Sequence, residues 1–230
     1  MIRAVLSKTW PALAIGAAFG VAAMLVYPGG TPLDAATVGY SLSRNFLSDL
    51  GTTVAFNGRS NQPGALLFVL SLGTLILGFS AFLLRTARLL SGPARPWGRA
   101  AVAIGSLVMA AFLAVALTPE NRFWTAHVFF TCWAFRIFPV VPALLAVATL
   151  KDRRFPRHVG MMWVLLACVV AVYVGVLEMG PEPDTPHGLT IQVLAQKLVT
   201  VVAVLFVAYQ SYQANRIRLA SEPDALTVDR

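Results

Sequence analysis

Long apolar stretches alternate with short polar ones along the chain, and six of the apolar stretches are about 20 residues long. They cover about residues 10–27, 65–84, 100–117, 124–150, 160–178 and 189–210. A helix needs roughly 20 apolar residues to cross a hydrocarbon core about 30 Å thick. Because backbone polar groups cannot stay unpaired in lipid, the pattern predicts an all-α bundle of six transmembrane helices.

A polar segment, "GYSLSRNFLSDLGTTVAFNG" at residues 39–58, separates the first two apolar stretches. Its residues 40–51 show helical spacing, which predicts an amphipathic helix in this loop. Polar side chains fall on one face of that helix and apolar side chains on the other: Ser41, Asn45, Ser48 and Thr52 against Leu42, Phe46, Leu47 and Leu50. Gly51 would end the helix in a left-handed conformation.

Asp49 is the acidic residue of this segment. It would lie near the C-terminus of the predicted helix, where the helix dipole disfavours an anion. This placement predicts a cationic partner for its carboxylate. The candidates are Arg44, Arg59, Arg136 and Lys197.

Composition and charge support a membrane protein. The chain is 57% hydrophobic and 12% charged, whereas soluble domains carry about 25% charged residues. The net charge of +8 is concentrated on one side of the predicted bundle: Arg3, Lys8, Arg85, Arg88, Arg95, Arg99, Lys151, Arg153, Arg154, Arg157, Arg216, Arg218 and Arg230. The other side holds only Arg44, Arg59 and Arg122. This asymmetry predicts cytoplasmic N- and C-termini and excludes nucleic-acid binding as the role of the charge.

The chain is predicted to form one six-helix domain over residues 1–212, followed by a polar cytoplasmic tail over residues 213–230. Pro139 and Pro142 predict a kink in the fourth span. Gly16 and Gly20 form a GxxxG motif, which favours close packing against another helix of the same chain.

Two basic residues lie within the predicted spans, Arg136 in the fourth and Lys197 in the sixth. Ionisable groups at this depth are candidates for functional sites. In one interpretation Lys197 extends to Glu178 or Glu182, and Arg136 binds carbonyls freed by the prolines. In the other, a polar pocket opens to the outer face. Its residues would be Ser48, Asp49, Glu120, His127, Arg136, Glu178 and Lys197.

A metal site is an alternative use of these side chains. Asp49, His127 and His187 offer the carboxylate and imidazole ligands that zinc accepts. No HxxxH or HExxH spacing is present, and no nucleophile elbow surrounds Ser48. Both His127 and His187 lie too near the outer surface for the usual bis-histidine haem arrangement. We therefore expect no cofactor.

Two short motifs resemble a known family. "NFLSDLG" and "TPENRFWTAHVFF" are similar to motifs of domain of unknown function 998 (DUF 998), a prokaryotic membrane family related to the DRAM-like six-helix proteins. Ser48, Asp49 and Gly51 match the first motif, and Glu120 and His127 match the second. The resemblance implies six membrane helices, with no established reaction and a hint of roles in lipid remodelling or trafficking.

Taken together, the sequence predicts an integral protein of the prokaryotic inner membrane. It favours a role other than catalysis but does not decide whether the protein is an enzyme. Its expected role is lipid binding or service as an accessory subunit of a membrane complex, with membrane lipids or other subunits as partners. The alternatives are an intramembrane metal-dependent lipid hydrolase and, less favoured because no inverted repeat is visible, a small transporter.

Overall fold

The computed structural model describes residues 9–221, with side chains through Arg216. It contains seven α-helices: α1 Thr9–Val26, α2 Gln62–Leu89, α3 Arg95–Leu117, α4 Trp124–Ile137, α5 Val140–Lys151, α6 Arg157–Met179 and α7 Pro186–Ser221. A 3-10 turn, Gly92–Ala94, leads into α3. The described residues form six helical segments long and apolar enough to span a membrane, with α4 and α5 together making one of them. The predicted six-helix architecture is confirmed.

Some predictions fall at the chain ends. Arg3, Lys8 and Arg230, which contribute to the charge asymmetry, lie outside the described residues, as does the side chain of Arg218. The last helix continues to Ser221, so residues 213–221 of the predicted tail extend α7. Residues 222–230 of that tail lie outside the described range.

The fourth span is broken at Phe138 and Pro139, between α4 and α5. Proline lacks an amide hydrogen and its ring displaces the carbonyl one turn earlier, which ends a regular helix. The fourth span is therefore interrupted at the position where the prolines predict a kink. Pro142 is accommodated within the first turn of α5, where few amide donors are needed.

Helix α1 packs closely along α2 through the GxxxG motif. The hydroxyl of Ser71 donates to the carbonyl of Gly16 at 2.7 Å. A Cβ atom added to Gly16 would lie 2.7 Å from the side chain of Leu75, and one added to Gly20 would lie 3.1 Å from Ser71 Oγ. The motif thus serves intramolecular packing, as the sequence predicts.

The core of the bundle is apolar and aromatic. The ring of Phe135 lies 4.7 Å from that of Tyr173 and 5.2 Å from that of Phe112, which joins α3, α4 and α6. Large apolar side chains such as Leu25, Leu77 and Leu107 remain exposed on the outside of the spans. An apolar exterior of this kind suits contact with lipid tails.

Residues 27–61 connect α1 to α2 and form a small folded unit, here called the cap. It begins with an antiparallel hairpin, β1 Gly29–Thr31 and β2 Asp34–Val38. Gly30 has a φ of +83°, and a Cβ atom there would lie 2.4 Å from the backbone nitrogen of Asn57. The cap lies at the end of the bundle where α2 begins, called the cap end; the opposite end is the far end.

The predicted amphipathic helix over 40–51 is wrong. The segment forms a turn followed by a 3-10 helix, Ser48–Gly51. The side chains of Asn45 and Asp49 accept hydrogen bonds from the backbone nitrogens of Ser41 and Phe46, a local alternative to helical bonding. The polar side chains Asn45, Asp49 and Thr52 are buried. The polar face therefore points into the protein.

Gly51 also departs from its predicted role. It is not among the glycines with a positive φ angle, so it is not a left-handed helix cap. It is buried against α2, where an added Cβ atom would lie 2.6 Å from Cδ1 of Phe68. The glycine permits close contact between the cap and α2.

Candidate functional site

Asp49 is a buried acidic residue of the cap, with no exposed surface. Its Oδ2 atom accepts hydrogen bonds from Asn45 Nδ2 at 2.9 Å and from the backbone nitrogen of Phe46 at 3.0 Å. Its Oδ1 atom has no hydrogen-bond partner among the described residues. One carboxylate oxygen is thus fixed and the other is left unpaired.

Asn45 holds this arrangement in place, a role that the sequence analysis did not assign to it. Its Nδ2 atom also donates to the carbonyl of Gly30 at 3.0 Å, and its Oδ1 atom accepts from the Ser41 backbone at 2.9 Å. The fully buried Asn45 therefore connects the hairpin, the turn and Asp49. The four-residue spacing of Asn45 and Asp49 hints at their proximity, but nothing in the sequence indicates the bond to Gly30.

Side chains of helix α7 form hydrogen bonds with the backbone of the cap. The ammonium group of Lys197 donates to the backbone carbonyl of Asn45 and lies 5.1 Å from the centre of the Tyr40 ring. The side-chain oxygen of Gln196 accepts from the backbone nitrogen of Leu47 at 2.8 Å. Lys197 is close enough to Asp49 to interact electrostatically. It forms no ion pair with Asp49, and within the described range no other basic residue does either.

Glu120 lies in the connection between α3 and α4, and His127 lies in the first turn of α4; both approach the cap. The Nδ1 atom of His127 lies 2.7 Å from the carbonyl of Thr118, so it carries the hydrogen of that bond. The Nε2 atom lies 3.8 Å from Oε2 of Glu120. Both side chains are largely removed from solvent, and Nε2 has no hydrogen-bond partner within the described part of the chain.

Burial shapes the electrostatics of the two carboxyl groups. Burial and the nearby charge of Glu120 raise the pKa of Asp49 to about 8, although the bonds from Asn45 and Phe46 and the charge of Lys197 oppose the rise. Burial also raises the pKa of Glu120, opposed by His127 and by the hydroxyl of Ser48. Both shifts follow from the cost of a carboxylate removed from water.

We call Ser48, Asp49, Glu120, His127 and Lys197 the buried cluster. These five residues of the predicted pocket come together where the cap meets the bundle. Ser48 and Asp49 belong to the cap itself, and Asp49 and His127 are buried. The structure therefore shows a covered cluster where the sequence predicts an open pocket.

Arg136 and Glu178 form a separate pair. Their side chains are joined by two hydrogen bonds of 2.8 Å each, from Nε and from one terminal nitrogen of the guanidinium. They are 40% and 36% exposed. The Arg136 guanidinium also lies 5.6 Å from the centre of the Trp133 ring. Arg136 thus binds Glu178 rather than carbonyls freed by the prolines, and it does not share a site with Lys197.

The alternative metal set does not assemble. His187 lies in the first turn of α7 and is exposed, whereas Asp49 and His127 are buried. Among the described residues, no group of three or more histidine, cysteine, aspartate or glutamate side chains is placed to hold a metal ion.

Comparison of the chain with protein-family models, curated proteins and solved structures gave no match. The resemblance to DUF 998 and the DRAM-like proteins, carried by the motifs around Asp49 and His127, therefore stays a prediction.

Proposed function

We propose that this chain is a phospholipid-binding protein of the prokaryotic inner membrane, with both termini in the cytoplasm and the cap outside. The orientation is supported by the charges at the two ends of the described bundle. The far end carries Arg85, Arg88, Arg95, Arg99, Lys151, Arg153, Arg154, Arg157 and Arg216. The cap end carries Arg44, Arg59 and Arg122. Basic loops favour the cytoplasmic side.

The observation that carries the lipid-binding proposal is the exposed pair of Arg136 and Glu178. Both residues lie on membrane-spanning segments, yet more than a third of each side chain is open to the surroundings of the bundle. Hydrocarbon tails cannot solvate such a pair, whereas a lipid headgroup can. The exposed face of the pair is therefore a suitable contact for a headgroup.

The position of Glu178 supports a contact near one membrane surface. Glu178 is the residue before the end of α6, Met179, on the cap side of the bundle. The side chain of Arg136 leans towards the start of α4, which is also on the cap side, because helical side chains tilt towards the N-terminus. The pair therefore suits a headgroup of the outer leaflet.

The charges of the pair favour a zwitterionic headgroup. Arginine binds phosphate oxygens through its planar guanidinium, and a carboxylate binds an ammonium group. The ring of Trp133 adds an aromatic face beside Arg136. Since Glu178 already neutralises Arg136, a phosphate with no accompanying amine would meet a repelling carboxylate. Phosphatidylethanolamine fits this arrangement better than phosphatidylglycerol.

Native mass spectrometry of the purified protein titrated with each of these lipids tests the proposal. Arg136→Gln and Glu178→Gln should each reduce phosphatidylethanolamine binding about tenfold, equivalent to ~1.4 kcal/mol. Arg59→Gln, which alters an exposed arginine of the cap, is the control and should bind as the parent does. Equal binding by the parent and both pair variants would refute the headgroup site.

A role as an accessory subunit is a second candidate, supported by exposed apolar side chains on the cap. Val38 is 94% exposed, and Leu33 and Leu42 are also exposed. Exposed apolar side chains suit a contact with another protein. Blue-native electrophoresis of native membranes should show a complex whose mass falls to that of the single chain in the double variant Val38→Ser/Leu42→Ser. A parent that runs as a single chain would exclude this role.

No contact among the described residues supports the remaining alternatives, a metal-dependent lipid hydrolase and a small transporter. The hydrolase would need metal ligands that come together, and the proposed ones do not.

A further inference from the structure

The buried cluster contains several hydrogen-bond acceptors but lacks the donors to match them. Because Nδ1 of His127 donates to Thr118, Nε2 of the neutral ring has only a lone pair, and it faces the Glu120 carboxylate. Asp49 Oδ1 is likewise an unpaired acceptor, fully buried. Unpaired buried acceptors are costly, so this arrangement calls for an added hydrogen-bond donor.

The charges of the surrounding elements lead to the same requirement. The ionisable groups that interact with Asp49 are Glu120 from the α3–α4 connection, Lys197 from α7, Tyr27 at the start of the cap and Tyr40 within it. His127 of α4 faces Glu120, and α2 presents Phe68 to this part of the cap. Two carboxylates therefore face a single fixed ammonium group.

The nearby arginines do not supply the missing positive charge. Arg122 donates from Nε to the hydroxyl of Thr53. Arg136 is bound to Glu178. Lys197 directs its hydrogen bond to the Asn45 carbonyl, so it offsets one carboxylate only from a distance. One negative charge remains to be neutralised in a buried space, where an isolated charge is strongly disfavoured.

We propose that Asp49, Glu120 and His127 form a buried site that binds one proton and that the bound proton keeps the cap closed over the bundle. The proton lies on Asp49, where it neutralises the buried carboxylate whose Oδ1 atom has no hydrogen-bond donor. Loss of the proton leaves a buried negative charge, which opening of the cap would expose to water.

The pKa values agree with this geometry. Burial and Glu120 raise the pKa of Asp49 to about 8, and burial raises the pKa of Glu120. A carboxyl group whose pKa is raised by folding stabilises the folded state below its unfolded value, about 4, and loses that contribution as the pH rises through the folded value. The cap should therefore loosen as the pH rises through about 8.

Infrared spectroscopy of the full chain in nanodiscs, with isotope-labelled aspartate, tests for the proton directly. The parent should show the carbonyl band of a protonated aspartic acid at about pH 6 and lose it through about pH 8. Asp49→Asn should abolish this band, whereas Asp34→Asn, which alters an exposed carboxyl group of the same cap, should keep it. A parent without the band at about pH 6 would overturn the proposal.

Two further variants test whether the cluster acts as one unit. Glu120→Gln removes the negative charge beside Asp49 and should move the midpoint of the band to lower pH. His127→Gln removes the group that lowers the pKa of Glu120. Glu120 then carries less negative charge beside Asp49, so the midpoint of the aspartate band should again move to lower pH. Unchanged midpoints in both variants would overturn the shared site, and these variants remain informative if Asp49→Asn fails to fold.

Hydrogen exchange of the backbone amides in residues 41–52 tests the link to the cap. After correction for the intrinsic rate, exchange should rise at least tenfold through the same pH range in the parent. It should stay low in Asp49→Asn, whose neutral amide stands in for the protonated acid. Exchange that is independent of pH in the parent would separate proton binding from cap closure and refute that link.

Discussion

Asn45 and Asp49 are joined by a buried hydrogen bond of 2.9 Å, and the same amide nitrogen reaches the carbonyl of Gly30 in the hairpin. A single side chain thus connects two separate parts of the cap and leaves Asp49 with one unpaired oxygen. Since both residues are fully buried, the bonds are shielded from competition with water. The position of the carboxylate depends on this asparagine.

Replacing Asn45 with alanine should therefore destabilise the cap. The change leaves Gly30 and the Ser41 amide without their partners and removes a donor from Asp49. Unsatisfied buried groups of this kind cost about 1–3 kcal/mol each. The melting temperature in detergent should fall by several degrees. Ser60→Ala, at an exposed cap position, should leave the melting temperature unchanged. Equal melting of the two variants would contradict the role assigned to Asn45.

Gly51→Ala should be destabilising because its Cβ atom would lie 2.6 Å from the ring of Phe68. Overpacking of a filled site typically costs about 1–3 kcal/mol. Gly73→Ala is a matched control in the same region, because an added Cβ atom there meets nothing within 4 Å. The melting temperature should fall for Gly51→Ala but not for Gly73→Ala. Combining Gly51→Ala with Phe68→Leu should restore part of the lost melting temperature. If both alanine variants have the same melting temperature, the close contact between Gly51 and Phe68 does not limit stability.

Lys197→Met should weaken the attachment of the cap to α7. The variant keeps a long apolar side chain beside Tyr40 but removes the donor to the Asn45 carbonyl. That carbonyl still accepts from the Tyr40 hydroxyl at 3.1 Å, so the cap should remain folded. Limited proteolysis should cleave within residues 41–52 several times faster than in the parent. Leu198→Met, at an exposed neighbouring position, is the control, and equal cleavage of both would argue against the attachment.

The spans and the interruption of the fourth span were predictable because both depend on local chemistry. Uninterrupted apolar length identifies a membrane helix, and Pro139 cannot continue one. The prediction for residues 40–51 failed because helical spacing records only the alternation of polar and apolar residues. It does not show that Asn45 and Asp49 will bind the backbone around them. That outcome depends on the hairpin and on α7, which supply the surrounding partners.

The partners of the charged residues were equally hard to predict. The sequence indicates that Arg136 and Lys197 need polar contacts, and both have them. It does not indicate which contacts, because Glu178 is 42 positions from Arg136 and the Asn45 carbonyl is 152 positions from Lys197. Such pairs are fixed by how the helices pack. Asp49, Glu120 and His127, which the sequence analysis groups together, lie close to one another, but the folded cap that buries them was not foreseen.

At the far end of the bundle, Asp152 joins the α2–α3 and α5–α6 connections. Its Oδ2 atom accepts from the Ser91 backbone nitrogen at 3.0 Å and from Arg154 at 2.7 Å. Arg154 also donates to the carbonyl of Leu89. Hydrogen bonds from Arg154 and Ser91 lower the pKa of Asp152 to about 2 against the opposing effect of burial. The charged form is therefore the one that holds these loops together.

Asp152→Asn should consequently lower the stability of the folded protein at neutral pH. It should also reduce the loss of stability that occurs as the pH falls. A carboxyl group whose pKa is lowered by folding stabilises the protein above its unfolded value, about 4, and loses this contribution as the pH falls towards about 2. At neutral pH the loss should be about 1–3 kcal/mol, as for other hydrogen bonds to a buried charged group. Melting temperatures measured from about pH 7 to about pH 2 should converge for the parent and this variant at the acid end. Asp184→Asn, at an exposed position, is the control, and its melting temperature should equal that of the parent at every pH. If the melting temperatures of the parent and Asp152→Asn differ by the same amount at every pH, the charge of Asp152 is not what stabilises the loops.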